Sequence, residues 1–207
     1  MLAALATAGA PDYSGQVRSV VRPQPRTVRP SEDEARRCLG CGDLSLRWVL
    51  TCALDVGLRY DTAQSLTPRH LATGQIVTTT KRGRVVTLPI TPRLRNLLDL
   101  AGAREGEEDC RITDLLNNRR QIQGQATIRE RWQRWKKQAG LPPGLYIHDL
   151  RRDTAHRVYA VTHDVRQVQA VLGHASPRTT LEYLHDAAPK ADHEAINQAT
   201  IRESKCA

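Results

Sequence analysis

Between Leu44 and Val56 the apolar residues Leu46, Val49, Leu50, Ala53 and Leu54 recur at helical spacing. A segment of that kind is expected to pack in the core. Gly57 interrupts the run and leaves Arg59 just beyond an apolar helix. A guanidinium in that place must be paired or lie in a site. With 207 residues the chain can bury one good core, which predicts a single main domain plus extensions.

The flanking segments read in turn from their own chemistry. Residues 11–30 combine Pro11, Pro23, Pro25 and Pro30 with Arg18, Arg22, Arg26 and Arg29. Such a stretch cannot form a core, and residues 1–25 are expected to be a basic, extended linker. Ser31 followed by Glu32, Asp33 and Glu34 reads as an N-cap with acidic first-turn residues, which suit the positive end of a helix dipole. Gln75 to Pro89 predicts a hairpin with Lys81-Arg82-Gly83-Arg84 as its turn and Lys81 at the tip. Thr91-Pro92 opens a helix through Leu100, and Gly102 to Asp109 is a polar loop. In the segment Ile128 to Ala139, Trp132 and Trp135 are expected to fill core while the surrounding cations face water.

Pro142-Pro143-Gly144 breaks the chain before a helix that carries His148, while His156 and His163 are expected to be solvent-facing or capping. Thr162-His163-Asp164 caps a further helix whose Val165, Val168, Val171 and Leu172 face inward, with Gly173 ending it. Ser176-Pro177 starts the segment that holds Tyr183, and residues 191–207 are a helical tail. The fold class that emerges is mainly α with a small antiparallel β-sheet or hairpin, an α+β arrangement.

Charge narrows the partner. The chain has 31 Lys and Arg against 22 Asp and Glu, a net charge of +9, and a pI near 9.8. That excess favours a polyanion through counterion release. No run of 18 apolar residues is present, which excludes a spanning helix. Met1 to Ala10 lacks a basic n-region and a long apolar stretch, which argues against a secretory signal. Cys38, Cys41, Cys52, Cys110 and Cys206 are odd in number and scattered, so reduced thiols in a cytoplasm are expected. Cys38-Leu-Gly-Cys41 has the spacing of half a zinc site, but no second pair follows, and the reading here is a helix-to-helix turn.

His148 and Arg151 are three apart and share a helix face; Leu172-Gly173-His174 follows, and Tyr183 lies nine residues beyond that histidine. A nucleophile, proton-transfer groups and fixed positive charge are what a site needs to attack a phosphodiester. In order and spacing, Gly57-Leu58-Arg59, His148-x-x-Arg151, His174 and Tyr183 resemble the catalytic domain of the tyrosine recombinases, also called the phage integrase family. The resemblance covers roughly residues 26–190, which it implies are the catalytic domain. Lys81 corresponds to the family's hairpin lysine, and Arg82 and Arg84 beside it are candidate DNA phosphate contacts.

By that resemblance Tyr183 attacks the scissile phosphate to give a 3′-phosphotyrosyl link and a 5′-hydroxyl. Arg59, Arg151 and His174 would stabilise the transition state, His148 would exchange the nucleophile's proton, and Lys81 would protonate the leaving oxygen. The resemblance implies no cofactor. It implies double-stranded DNA as partner and a homotetramer on paired sites, with the tail docked on a neighbouring protomer. Two departures stand out. Where the family usually has a glutamate, three residues after its first arginine, this chain has Thr62, with Asp61 as a candidate substitute. A typical member also carries an N-terminal helical domain that clamps the other face of the DNA, whereas only residues 1–25 precede the catalytic region here. The expected function is a site-specific recombinase or integrase of a mobile element. The alternatives are a truncated or accessory DNA-binding protein without strand exchange, and a type IB topoisomerase-like enzyme.

Overall fold

Residues 28–80, 83–102, 106–117 and 127–184 are described by a computed structural model of the chain. The linker expected at residues 1–25 and the tail expected at 191–207 lie outside the described residues. Ser31 caps the first helix, α1 (Glu32–Leu39), in a reciprocal box: its hydroxyl accepts from the Glu34 amide, and the Glu34 carboxylate accepts from the Ser31 amide at 2.7 Å. The turn after it buries both Cys38 and Cys41. Burial pushes the Cys38 thiol up to about 12, so the pair acts as apolar packing in a helix-to-helix turn. Among the described residues no group of three His, Cys, Asp or Glu side chains could hold a metal ion.

Helix α2 (Leu44–Val56), capped by Asp43, packs in the core as its apolar spacing predicts. Leu46, Trp48, Val49 and Leu50 are fully buried, each contributing about 1.5–3 kcal/mol of transfer free energy. Trp48 meets its one polar obligation by donating Nε1–H to the Ala63 carbonyl at 2.9 Å. Helix α3 (Tyr60–Ser65) and a single 3₁₀ turn (Pro68–Leu71) then lead to the hairpin. Its strands β1 (Gln75–Thr79) and β2 (Val85–Pro89) pair antiparallel with Gln75 opposite Pro89 and Thr79 opposite Val85. Ile76, Thr78, Val86 and Leu88 form the buried face.

Helix α4 (Pro92–Ala101) is anchored by Asp55 at the end of α2, which accepts from the Thr91 hydroxyl at 2.7 Å and pairs with Arg93. Helices α5 (Ile112–Leu116) and α6 (Ile128–Gln138) complete this side of the core. Trp132 is buried in it, and Trp135 is half-buried with its Nε1–H on the Cys38 carbonyl, so the indoles fill core as expected.

Helices α7 (Ile147–Thr162), α8 (Val165–Leu172) and α9 (Pro177–Tyr183) carry the remaining motifs. The α7 helix packs along α2, where the buried Thr154 hydroxyl lies 2.9 and 2.7 Å from the Ala53 and Leu54 carbonyls. Those are last-turn carbonyls of α2, which lack partners within their own helix. A second apolar cluster, Ala155, Val168, Leu172 and Leu184, seals α8 and α9 onto α7. The packing of α8 and α9 corrects one expectation. His156, read from sequence as solvent-facing or capping, is only 5 % exposed.

Candidate active site

Arg151 is the structural centre of the site and is 2 % exposed. One terminal nitrogen donates to the Gly57 carbonyl; the other donates to the Leu172 carbonyl at 2.7 Å and lies 3.1 Å from His174 Nε2. Two helices therefore point their C-terminal ends at one guanidinium, the end where the helix dipole favours a cation. Each ends on a glycine in the left-handed region, Gly57 at φ 66° and Gly173 at φ 60°. Left-handed backbone alone would admit Asn, but space does not. A Cβ on Gly57 would lie 2.8 Å from Leu172 Cδ2, and one on Gly173 would lie 2.6 Å from Val86 Cγ2.

Arginine has only donors to offer, so His174 Nε2 must accept from Arg151. The proton of the neutral ring then sits on Nδ1, which donates to the Thr180 hydroxyl at 3.1 Å. Burial, followed by the charges of Arg151 and Arg59, holds the His174 imidazole down at about 3, far below its ordinary 6.5. Its backbone is held as well, because the His174 carbonyl accepts from Gln169 at 3.0 Å and from Arg84 at 3.2 Å. Arg84, proposed from sequence as a phosphate contact, thus spends one of its donors tying the hairpin to this loop.

Tyr183 ends α9 with its hydroxyl hydrogen-bonded to His148 Nε2. The ring stands edge-on to both histidines, with centroids 5.5 Å from His148 and 4.8 Å from His174. Burial, then Arg151 and Arg152, pull the His148 pKa below its ordinary value, with Asp149 opposing. Its imidazole is therefore neutral near pH 7 and able to accept a proton. Burial likewise lowers Arg151, to about 10, which leaves it charged at any physiological pH. Arg59 caps α3 and lines a cleft with Asp61, Thr80, His174 and Thr179. The Arg59 side chain has no hydrogen bond or ion pair among the described residues, and Asp61 does not bond it.

Five residues singled out in the sequence thus converge: Arg59, His148, Arg151, His174 and Tyr183. Lys81 and Arg82 lie outside the described residues, although Thr80, just before them, lines the cleft. Two other tyrosines make contacts of their own. Tyr146 stacks by Lys136 Nζ at 5.3 Å, and Tyr159 packs edge-on to His163 at 6.1 Å. Sequence reading missed Thr180, whose hydroxyl accepts from His174 Nδ1, and Arg152, whose guanidinium lies 5.5 Å from the Tyr183 ring centre. An arginine next to another gave no signal beyond charge, and Thr180 gave none at all.

Comparison with known proteins bears on the family and the fold. Tyrosine recombinase XerC of Salmonella typhi is 28 % identical over 145 residues, covering 67 % of this chain and 47 % of the relative, so the chain spans about half its length. Among solved structures, XerA recombinase superposes with a TM-score of 0.60 at 24 % identity, over 89 % of this chain and 66 % of that one. The catalytic domain of bacteriophage HP1 integrase gives 0.53 at 20 % identity, over 74 % of this chain and 82 % of that one. Both structural likenesses speak to the fold, which is that of a tyrosine recombinase catalytic domain. Residues 32–190 match the phage integrase family, and the chain belongs to it.

Proposed function

We propose that this chain is a site-specific DNA recombinase that cuts and rejoins double-stranded DNA through Tyr183. The observation that carries the reading is the Tyr183 hydroxyl hydrogen-bonded to His148 Nε2, beside the buried Arg151 and His174. Neutral His148 takes the phenol proton as the Tyr183 oxygen attacks phosphorus. The bond to the 5′-oxygen breaks, that oxygen takes a proton from Lys81, and a 3′-phosphotyrosyl ester remains. Rejoining runs the same steps backwards on a new 5′-hydroxyl, with His148 returning its proton to Tyr183. Because the ester conserves the bond, the cycle needs no nucleotide triphosphate.

Arg59 meets the negative charge of the pentacoordinate phosphorus, its guanidinium being uncommitted among the described residues. Arg151 adds its charge and its Nε, a buried donor with no hydrogen-bond partner among the described residues. Fixed donors of this kind are worth about 3–4 kcal/mol each in a transition state. The net charge of +9 favours the DNA encounter. Mobile-element integration or excision, assembly as a homotetramer on paired sites and action in the cytoplasm complete the proposal.

The alternative left open by the sequence is DNA binding by the same fold without strand exchange. The two separate in one experiment. The protein is incubated with nicked duplexes drawn from DNA flanking its gene, beside Tyr183→Phe. A covalent adduct that survives SDS, yields to protease and is absent from the variant is expected. DNA binding without any adduct would refute the recombinase reading in favour of the second.

A further inference from the structure

Arg152 follows Arg151 on α7 and points about 100° around the helix from it. Its guanidinium lies over the Tyr183 ring, 5.5 Å from the centroid. Its Nε and Nη1 are buried, and neither has a hydrogen-bond partner among the described residues. Folded proteins seldom leave buried guanidinium nitrogens without acceptors, and a phenol face is only a partial substitute. An arginine held at that cost, on the side chain that hydrogen-bonds His148, points to work in the site.

We propose that Arg152 is a positioning residue for the nucleophile: it clamps the Tyr183 ring with the hydroxyl aimed at His148, and sets a permanent positive charge beside that pair. The inference rests on Tyr183 as nucleophile and His148 as its proton acceptor. The charge acts on both partners. It favours the negative charge that develops on the Tyr183 oxygen, and it disfavours the imidazolium, so His148 stays an open acceptor.

His148 is faced by Arg151, Arg152 and Asp149 from its own helix, by Arg59 from the start of α3, and by Tyr183 and His174. Of the charged groups among the described residues only Asp149 opposes the arginines. Removing the charge of Arg152 therefore raises the His148 midpoint while Arg59 and Arg151 remain.

Two variants separate charge from packing. Arg152→Met removes the charge and keeps the stem; Arg152→Lys keeps the charge and loses the planar face. Histidine ring NMR of the DNA-free protein, with His148 assigned by its loss in His148→Gln, is expected to show the midpoint moved up in Arg152→Met and unmoved in Arg152→Lys. Adduct formation on nicked duplexes is expected to slow about tenfold in Arg152→Met, with its acid limb displaced to higher pH. An unmoved midpoint in a folded Arg152→Met overturns the proposal. If that variant does not fold, Arg152→Lys carries the test through its adduct rate: severalfold slowing supports the clamp, and a wild-type rate overturns it. Absence of any adduct from the wild-type chain refutes the nucleophile reading itself, and the NMR titration then decides separately whether Arg152 acts on His148.

Discussion

Replacing Gly57 by alanine should destabilise the fold more than the same change at any helix-capping glycine that has room around it. At φ 66° an alanine pays about 1–2 kcal/mol for left-handed backbone. Its Cβ would also stand 2.8 Å from Leu172 Cδ2 and 3.3 Å from Thr154 Cγ2, neither of which can yield easily, because Leu172 and Thr154 are each 2 % exposed. Overpacking of that kind adds about 1–3 kcal/mol. The sum is about 3 kcal/mol, a fall in Tm on the order of 10 °C for a chain of this size. Gly102 supplies the control, since it caps α4 at φ 51° and among the described residues a Cβ there would meet nothing closer than the Asp99 carbonyl at 3.8 Å. Gly102→Ala should therefore show the backbone cost alone, on the order of 4 °C. Thermal melts followed by circular dichroism compare the two directly. Trimming Leu172 to alanine in the Gly57→Ala background should recover part of the loss, giving a double-mutant coupling of about 1 kcal/mol or more. Equal melting points for Gly57→Ala and Gly102→Ala would refute the claim that close approach of α8, rather than backbone conformation, requires glycine here.

The remaining expectations probe the same frame. The His174 pKa is lowered to about 3 in the folded state from an ordinary 6.5, so the unfolded chain takes up the proton first. Stability attributable to this group is intact above about 6.5 and is lost as pH falls toward 3; His174→Gln should flatten the slope between pH 4 and 6, and an unchanged slope counts against the burial argument. Thr154→Val removes the hydroxyl from two α2 carbonyls at nearly constant volume, and urea denaturation should show a loss of about 1–3 kcal/mol. Arg151→Lys should lower Tm without DNA, because one ammonium cannot serve the Gly57 and Leu172 carbonyls and His174 together; a wild-type Tm would mean that Arg151 has no structural role.

The sequence disclosed those parts of the fold whose local signals are strong. The apolar period of Leu44–Val56, the Ser31 cap, the hairpin and the Ser176-Pro177 start each announce themselves within a few residues, and each element lies where its signal put it. Helices α3 and α5 did not, because six and five residues are too few to show a period. His156 was misread because a polar residue on a helix looks solvent-facing until the packing of α8 and α9 on α7 is known. Arg59 was legible as an anomaly, a charge just beyond an apolar run. Thr180 and Arg152 were not, since their importance comes from what they touch across the fold.

The two short glycine motifs look unrelated along the chain, yet around Arg151 they are one device. Gly57 and Gly173 each stop a helix so that its last carbonyls turn toward the same guanidinium, and each glycine lacks a Cβ where a neighbouring element presses in. Those carbonyls belong to α2, the hub of the main core, and to α8, part of the second apolar cluster. Arg151 therefore closes the seam between the clusters, and its position is set by the packing of both. A site built this way has its central cation ordered before DNA arrives, so little reorganisation is left for the chemical step. The same construction exposes the site to distant damage. Any change that shifts α8 against α2, even one remote from Tyr183, moves a carbonyl under Arg151 and, through it, His174.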